Sequence, residues 1–147
     1  MRTTCYVDHM RVSDIISAKS GVVTLPPTAT ITELIAVLAE RRIGAVVIVD
    51  ELGLAGIVSE RDVIRYINGT ENPADPVADI MTTTVHTCRP TDDLGELASV
   101  MTNERIRHLP VLEGGNLVGI VSIGDVVKAR LDDLEAERDH LERYVHG

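Results

Sequence analysis

The octapeptide GIVSERDV at residues 56–63 returns as GIVSIGDV at residues 119–126, and only the two residues after the serine differ. The same offset of 63 residues aligns further pairs upstream of the octet: Pro27/Pro90, Thr28/Thr91, Glu33/Glu96, Leu34/Leu97, Val37/Val100, Arg42/Arg105 and Ile43/Ile106. Nearer the start of each copy, VSDII at 12–16 matches VADIM at 77–81. A match of this length indicates an internal duplication.

Each copy predicts the same order of elements, β-α-β-β-α, after a short amphipathic helix at VSDII or VADIM. A brief strand near VVTL or VHTC precedes the helix ITELIAVLAERR or LGELASVMTNER, whose apolar residues recur at helical spacing. Two strands rich in branched residues follow: AVVIVD and AGIVS in the first copy, LPVLE and LVGIVS in the second. The predicted fold class is α/β (α+β), with two pseudo-symmetric repeats.

The repeats have the following expected bounds. The first repeat covers residues 11–68, the linker GTENPADP covers 69–76, the second repeat covers 77–130, and a C-terminal helical extension covers 131–147. One copy has too little core to be stable alone, so we expect the two copies to pack face to face.

The composition restricts the class of partner. The 147 residues carry a net charge of −9, with 44% hydrophobic but only 2% aromatic residues and no Trp or Phe. A negative chain without stacking side chains is a poor nucleic-acid binder. Cys5 and Cys88 are far apart, which favours free thiols in a reducing compartment. Because no apolar run approaches ~18 residues and the start lacks a signal-peptide pattern, we expect a cytoplasmic protein without membrane contact.

The Ser-x-x-Asp step inside each octet has two interpretations. Ser59–Asp62 and Ser122–Asp125 fit a capping box, in which the serine caps a helix and an acid three residues later reaches back. That box normally uses Glu or Gln, so the shorter Asp is expected to be freer to point outward. A carboxylate at a helix start can also accept hydrogen bonds from both hydroxyls of a ribose. Ribose binding would account for the glycine of each octet as well, as space for a base.

These residues resemble a tandem pair of CBS domains, named after cystathionine β-synthase and often called a Bateman module. The resemblance rests on the two GIVSxxDV segments, the openings Asp14–Ile16 and Asp79–Met81, and Arg107–Val111, and it covers about residues 11–130. It implies that AMP, ADP, ATP, NAD(H) or S-adenosylmethionine binds in clefts between the repeats. Four residues would hold the ribose: Ser59, Asp62, Ser122 and Asp125. The adenine would lie against Val23, Thr24, Ala45 and Val46 in one site, and against Val85, His86, Thr87, Leu109 and Pro110 in the other.

The phosphates of such a ligand need cations. Arg61 lies inside the first octet, where the second octet has Gly124, while Arg107 and His108 belong to the second copy. Because the two copies are complementary, all three side chains could surround the same phosphates, and one occupied site is favoured over two. The alternative is that arginines near the helix ends only complement the helix dipole in solvent.

The chain ends in an uninterrupted helical pattern. Its apolar residues alternate spacings of four and three, with Arg138 in the missing position: Val127, Leu131, Leu134, Leu141 and Val145. This coiled-coil-like stripe predicts a homodimer seam; the alternative is a helix that packs on its own domain.

The sequence therefore predicts a regulatory module that senses adenosine-containing nucleotides and transmits binding as a conformational change, acting on an unidentified partner protein. The alternative is a ligand-independent dimerisation scaffold in which both aspartates only cap helices. We expect no enzyme, because no P-loop or G-x-S-x-G motif is present. The histidines form no metal-ligand pattern, so no metal is expected.

Overall fold

The computed structural model describes residues 10–16, 21–69 and 72–146. Its elements are α1 Val12–Ile16, β1 Thr24–Leu25, α2 Ile31–Arg41, β2 Ala45–Asp50, β3 Gly53–Ser59, α3 Glu60–Gly69, a 3-10 helix Val77–Asp79, α4 Leu94–Asn103, β4 His108–Glu113, β5 Asn116–Ser122 and α5 Ile123–His146. The mixed α/β class and the predicted order of the first repeat are confirmed. Cys5 lies outside the described residues.

The two repeats differ in their first strand. In the first repeat the sheet order is β1-β2-β3, with β1 parallel to β2 and β2 antiparallel to β3. In the second repeat β4 and β5 form a two-stranded sheet, and the predicted strand at VHTC is reduced to a single parallel bridge between Cys88 and Val111. The second opening helix is likewise a 3-10 helix of three residues. Short elements of this kind depend on their neighbours more than on local propensity.

Side chains cap the N-termini of α2 and α4. The Thr30 hydroxyl accepts a hydrogen bond from the Glu33 amide at 3.1 Å, and the Glu33 carboxylate accepts one from the Thr30 amide at 3.3 Å, which completes a capping box for α2. The Asp93 carboxylate accepts a hydrogen bond from the Glu96 amide at 2.9 Å and caps α4.

Two compact units organise the chain, and they differ from the two sequence repeats. The β1–β3 unit contains residues 21–86 with the turn Gly114–Leu117, and the β4–β5 unit contains the described part of 1–20 with Thr87–Glu113 and 118–146. The opening segment of each repeat therefore belongs to the unit built from the other repeat.

Each unit has its own apolar core, and the opening segments complete these cores. Val12 of α1 is fully buried in the core that contains Leu97 and Val121 of the second repeat. Val77 of the 3-10 helix is fully buried in the core that contains Leu34 and Val58 of the first. Each repeat therefore receives part of its core from the opening segment of the other repeat, and burial of apolar groups there stabilises the unit by about 0.8 kcal/mol for each methylene.

The linker between the repeats is bonded to the start of α2. The Ile31 amide donates to the Asp75 carbonyl and the Thr32 amide to the Pro73 carbonyl, both at 3.0 Å. The Tyr66 hydroxyl donates to the Asn72 carbonyl at 2.9 Å. The linker carbonyls therefore accept from two amides that have no partner inside the helix.

The C-terminal extension continues α5 as one helix of 24 residues. Its five predicted stripe residues are between 49% and 75% exposed: Val127, Leu131, Leu134, Leu141 and Val145. The stripe is thus not buried by its own chain, while α5 packs on its own unit through a different face that includes Val126 and Ala129. Among the described residues, no helix has both the length and the apolar character that crossing a membrane requires.

Candidate functional site

Ser59 and Asp62 lie where β3 passes into α3. The Asp62 carboxylate oxygen Oδ2 accepts hydrogen bonds from the Ser59 amide at 2.9 Å and the Ser59 hydroxyl at 3.1 Å. The Asp62 amide donates back to the Ser59 hydroxyl at 3.4 Å. The Glu60 amide donates to the Gly44 carbonyl at 3.0 Å, which fixes the helix start beside the first residue of β2.

Ser122 and Asp125 repeat this geometry at the start of α5. Oδ2 of Asp125 accepts a hydrogen bond from the Ser122 amide at 2.9 Å, and the Asp125 amide donates to the Ser122 hydroxyl at 3.0 Å. The Ile123 amide donates to the Arg107 carbonyl at 2.8 Å, in the position of the Glu60–Gly44 bond of the first repeat. The two octets therefore share two cap bonds, from the serine amide to the aspartate carboxylate and from the aspartate amide to the serine hydroxyl.

The expectation that aspartate is too short to close a capping box was wrong. Both Asp62 and Asp125 reach back to the serine amide at 2.9 Å. Each serine is the helix cap and each aspartate stands three residues later, which is the spacing of the Thr30–Glu33 box at the start of α2. Capping thus accounts for the acid and the hydroxyl in both copies.

The glycine of each octet makes room for protein, which corrects its interpretation as space for a base. A Cβ at Gly56 would lie 2.8 Å from Sδ of Met81 and 2.8 Å from the carbonyl oxygen of Thr82. A Cβ at Gly119 would lie 3.2 Å from Cγ2 of Ile16. In each unit the glycine lets the exchanged opening segment approach the strand closely. The octet therefore has a structural explanation that requires no ligand.

The first predicted adenine set lies at the starts of β1 and β2 in the three-stranded sheet. Ala45 is paired with Ser59 across β2 and β3, and Thr24 begins the parallel strand β1. Val46 is fully buried within the core of the β1–β3 unit. Because side chains alternate along a strand, Ala45 points to the opposite face from Val46. Val23 immediately precedes β1 and is partly buried. Of β2, Ala45 rather than Val46 has the orientation that could face a ligand.

The second predicted adenine set is divided in the structure. Val85 and His86 fall in the β1–β3 unit, and Thr87 falls in the β4–β5 unit. Leu109 belongs to the core of the β4–β5 unit, whereas Pro110 is buried without belonging to that cluster. Leu109 is therefore the counterpart of Val46, a core side chain.

The three predicted phosphate contacts lie beside the capped helix starts. Arg61 is exposed on the first turn of α3, next to Asp62. Arg107 is exposed, and its carbonyl bond to Ile123 places it and His108 at the start of α5. Arg61 thus lies near the first Ser-x-x-Asp step, and Arg107 and His108 lie near the second, each within its own unit.

A cleft in the β4–β5 unit adds residues that the sequence interpretation missed. It has a volume of about 550 Å³ and is lined by Met10, Asp14, Ile15, Asp125, Lys128, Ala129, Asp132, Asp133 and Ala136. Asp125 therefore shares a cleft with Asp14 of α1. The signal for Asp14 was present in the sequence, because it is matched by Asp79 in the second opening motif. Within the described ranges, no group of three His, Cys, Asp or Glu side chains is arranged to hold a metal ion.

Cys88 is a free thiol at the bridge to β4. It is 4% exposed, and its Sγ donates to the Pro110 carbonyl at 3.8 Å. Burial raises the pKa of Cys88 from 9.0 to about 12, with a smaller contribution from the negative charge of Asp92. The thiol is therefore protonated and unreactive at neutral pH.

Comparison with known proteins identifies the repeated unit. The family model described as the CBS domain matches residues 12–69 and 77–132. The chain belongs to the CBS domain family. The resemblance inferred from the two octets is confirmed, and each CBS match begins at an opening segment.

The curated relatives are longer than this chain. The CBS domain-containing protein CBSX3 of Arabidopsis thaliana, mitochondrial, is 34% identical over 125 residues, which cover 80% of this chain and 61% of the relative. An uncharacterized 33.4 kDa protein of Thermofilum pendens is 46% identical over 96 residues, covering 65% of this chain and 32% of the relative. The CBS chain thus spans less than two thirds of these relatives.

Solved CBS structures have the same fold. The CBS-domain containing protein ATU1752 of Agrobacterium tumefaciens is 39% identical with a TM-score of 0.78, covering 82% of this chain and 99% of its own. The CBS domain protein PAE2072 of Pyrobaculum aerophilum, complexed with AMP, is 33% identical with a TM-score of 0.73, covering 79% and 89%. The CBS domain pair of protein MJ0100, in complex with 5-methylthioadenosine and S-adenosyl-L-methionine, is 25% identical with a TM-score of 0.74, covering 82% and 94%.

Proposed function

We propose that this CBS pair is a regulatory module that binds an adenosine-containing ligand through the Ser-x-x-Asp steps at Ser59–Asp62 and Ser122–Asp125. The observation that carries the proposal is that similar CBS chains were solved with AMP and with 5-methylthioadenosine and S-adenosyl-L-methionine. These ligands have the adenosine moiety in common, so the ribose and the adenine are the groups for which a shared site is expected. The family model and the relatives indicate no catalytic family.

The capping geometry is compatible with ribose binding at Asp62. Its two cap bonds both use Oδ2, and within the described residues Oδ1 has no hydrogen-bond partner. The cap holds the carboxylate in one orientation before a ligand arrives, so little side-chain entropy is lost on binding. Oδ1 would then accept from the ribose diol, and Arg61 on the same turn would supply positive charge for a phosphate.

The proposal can be tested by thermal unfolding with AMP, ADP, ATP, NADH and S-adenosylmethionine. A ligand at 100 times its Kd stabilises a protein by about 2.7 kcal/mol, which corresponds to roughly 9 °C in Tm for a chain of this size. Asp62→Asn and Asp125→Asn retain an amide oxygen that can accept the cap bond from serine but lose the negative charge. We expect at least one of them to lose the ligand-induced shift while its Tm without ligand changes little.

Asp93→Asn is the matched control. Asp93 also caps a helix, accepting from the Glu96 amide at 2.9 Å, but it lies outside the proposed site. It should keep the full ligand-induced shift. If none of the five compounds raises the Tm of the unmodified protein, or if the Asp93 variant loses the shift as completely as the Asp62 and Asp125 variants, the aspartates are caps and not ribose ligands.

A ligand-independent scaffold is the second candidate function. It is favoured by the fact that capping accounts for the serine and the aspartate of each octet, and the close approach of Met81 or Ile16 accounts for the glycine. In this function the exposed stripe on α5 would mediate homodimerisation and the regulated partner would bind the dimer whether or not nucleotide is present. The thermal unfolding series separates the two functions, because a scaffold gains no stability from any adenosine compound.

A further inference from the structure

The exposed stripe on α5 faces away from the core of its own unit. Val126 and Ala129 are buried in the β4–β5 core, whereas Val127 and Leu131 are 51% and 54% exposed. At 100° per residue the stripe lies about 130° around the helix from the core-facing side. It can therefore accept a second helix without disturbing the fold of the unit.

The charged residues beside the stripe change sign along the helix. Lys128 and Arg130 flank its beginning, and Glu135 and Glu137 occupy the equivalent positions seven residues later. With the stripe at the a and d positions of a coiled coil, Lys128 and Glu135 occupy e positions and Arg130 and Glu137 occupy g positions. Residues at e and g determine the orientation of paired helices.

A parallel pair of these helices would place like charges together. Arg138 occupies a stripe position, and in a parallel pair it would face Arg138 of the partner subunit across the seam. Glu137 would face Glu142 of the partner subunit at the next g–e contact. The attraction between Arg130 and the partner's Glu135 would be the favourable contact left to offset these repulsions.

An antiparallel pair removes both repulsions. If Leu131 packs against Leu134 of the partner subunit, Lys128 lies beside the partner's Glu135 and Arg130 beside the partner's Glu137. Arg138 then faces Val127 of the partner subunit, so the two arginines are separated along the seam. By symmetry this register gives four attractive contacts within the segment 127–138, which is 12 residues or about 18 Å long.

We propose that α5 pairs with α5 of a second copy in this antiparallel register. The inference rests on the self-association proposed above but is independent of nucleotide binding. The ion pairs within the helix do not oppose it: Lys128–Asp132 and Arg138–Glu142 are both 3.9 Å apart between side chains at least 63% exposed. Pairs so exposed contribute little and can exchange partners.

A groove beside the stripe receives the end of the partner helix. It has a volume of about 460 Å³ and is lined by Ala98, Ser99, Thr102, Asn103, Ile123, Val126, Val127, Arg130 and Leu131, between α4 and α5. In the antiparallel register Leu141 of the partner subunit reaches the level of residue 124, at the start of this groove. The groove is thus continuous with the seam, and Leu141, 57% exposed in the single chain, is covered there.

Charge exchange between two variants tests the register. Lys128→Glu with Arg130→Glu makes all four flanking residues acidic, and Glu135→Lys with Glu137→Lys makes all four basic. We expect each variant alone to dimerise with a Kd on the order of a hundredfold higher than that of the unmodified protein. An equimolar mixture should recover the original Kd as a heterodimer, measured by sedimentation velocity with one variant labelled.

Asp139→Lys with Arg143→Glu is the control for charge reversal itself. Both residues lie on the face of α5 opposite the stripe, so this variant should keep the original Kd. If the acidic and basic variants dimerise with the same Kd as the unmodified protein, the antiparallel pairing is wrong, although the protein still self-associates. A monomer at about 1 mM protein would overturn self-association as well. Neither outcome affects the thermal unfolding test of ligand binding.

Disulfide cross-linking distinguishes the two orientations directly. In a Cys5→Ser background, copies with Leu131→Cys are mixed with copies with Leu134→Cys and oxidised. The antiparallel register predicts the mixed 131–134 disulfide as the main product, whereas a parallel pair predicts disulfides between identical copies. Cys88 is buried and protonated and does not compete.

Discussion

Gly56 lies where the backbone of residues 81–82 crosses strand β3, and the Ile57 amide donates to the Thr82 carbonyl at 3.0 Å. Gly56→Ala would place Cβ 2.8 Å from that carbonyl oxygen, so the crossing segment would have to move. We expect the free energy of unfolding to fall by about 1–3 kcal/mol in urea denaturation.

Gly119→Ala is the matched comparison. Its nearest neighbour is the Ile16 side chain at 3.2 Å, which can shift by rotation, so the loss should be smaller than at Gly56. If Gly119→Ala loses as much unfolding free energy as Gly56→Ala, or more, the backbone contact at Gly56 is not what makes that position sensitive.

Cys88 makes stability depend on alkaline pH. Its folded pKa is raised from 9.0 to about 12 by burial, so between these values the unfolded thiol ionises while the folded thiol stays protonated. The stabilising contribution is complete below pH 9 and declines as the pH rises toward 12. We expect the Tm difference between the unmodified protein and Cys88→Ala to be constant up to pH 9 and to shrink from pH 9 to 11. A difference that stays constant to pH 11 would show that Cys88 ionises equally in both states.

At the scale of elements, α2 and α4 are each followed by an arginine in the left-handed region. Arg42 has φ 54° and Arg105 has φ 56°. The amide of Ile43 donates to the Leu38 carbonyl at 3.3 Å, and the amide of Ile106 donates to the Met101 carbonyl at 2.9 Å. This is the hydrogen bonding of a Schellman motif, in which glycine is the favoured residue. Arg42→Gly or Arg105→Gly should therefore raise the free energy of unfolding by about 0.5–1 kcal/mol.

Arg41→Gly is the control for this helix end. Arg41 is the last residue of α2 and has no positive φ, so glycine there should lower the free energy of unfolding by about 1 kcal/mol. Guanidinium denaturation of the three variants measures both signs. If Arg42→Gly lowers the free energy of unfolding as much as Arg41→Gly does, the left-handed conformation of Arg42 is not strained.

Elements were predicted well where their signals are local. The cap of α3 at Ser59 was predicted from residues within one turn. The strand at VHTC was not predicted correctly, because its extent depends on whether a neighbour pairs with it, and Cys88 bonds to β4 at one bridge alone.

At the scale of the whole molecule, the compact units cut across the sequence repeats. We therefore expect a fragment of residues 21–86 to unfold cooperatively in urea, because it contains the whole core that includes Val77. A fragment of residues 11–69, which is the first repeat by sequence, lacks Val77 and Met81 and should unfold without a cooperative transition. Circular dichroism during the titration measures both.

The two fragments are of similar length, so chain length does not explain a difference between them. Cooperative unfolding of 11–69 equal to that of 21–86 would mean that the exchanged segment is dispensable. Val77→Ala in the intact chain gives an independent measurement, with an expected loss of about 1.5–3 kcal/mol for a fully buried valine.

The sequence by itself determined the duplication, the order of elements, the capped helix starts and the pair of aspartates that the CBS resemblance assigns to a ligand. Each of these depends on residues within one or two turns, or on comparing one copy with the other. The tertiary structure decided which opening segment completes which core, and that Met81 and Ile16 occupy the space above Gly56 and Gly119. The physical reason is that VSDII and VADIM have the same apolar pattern and could cover either repeat. The choice between them depends on packing between residues that are far apart in the chain, such as Met81 with Gly56 and Ile16 with Gly119, and local periodicity carries no information about such contacts.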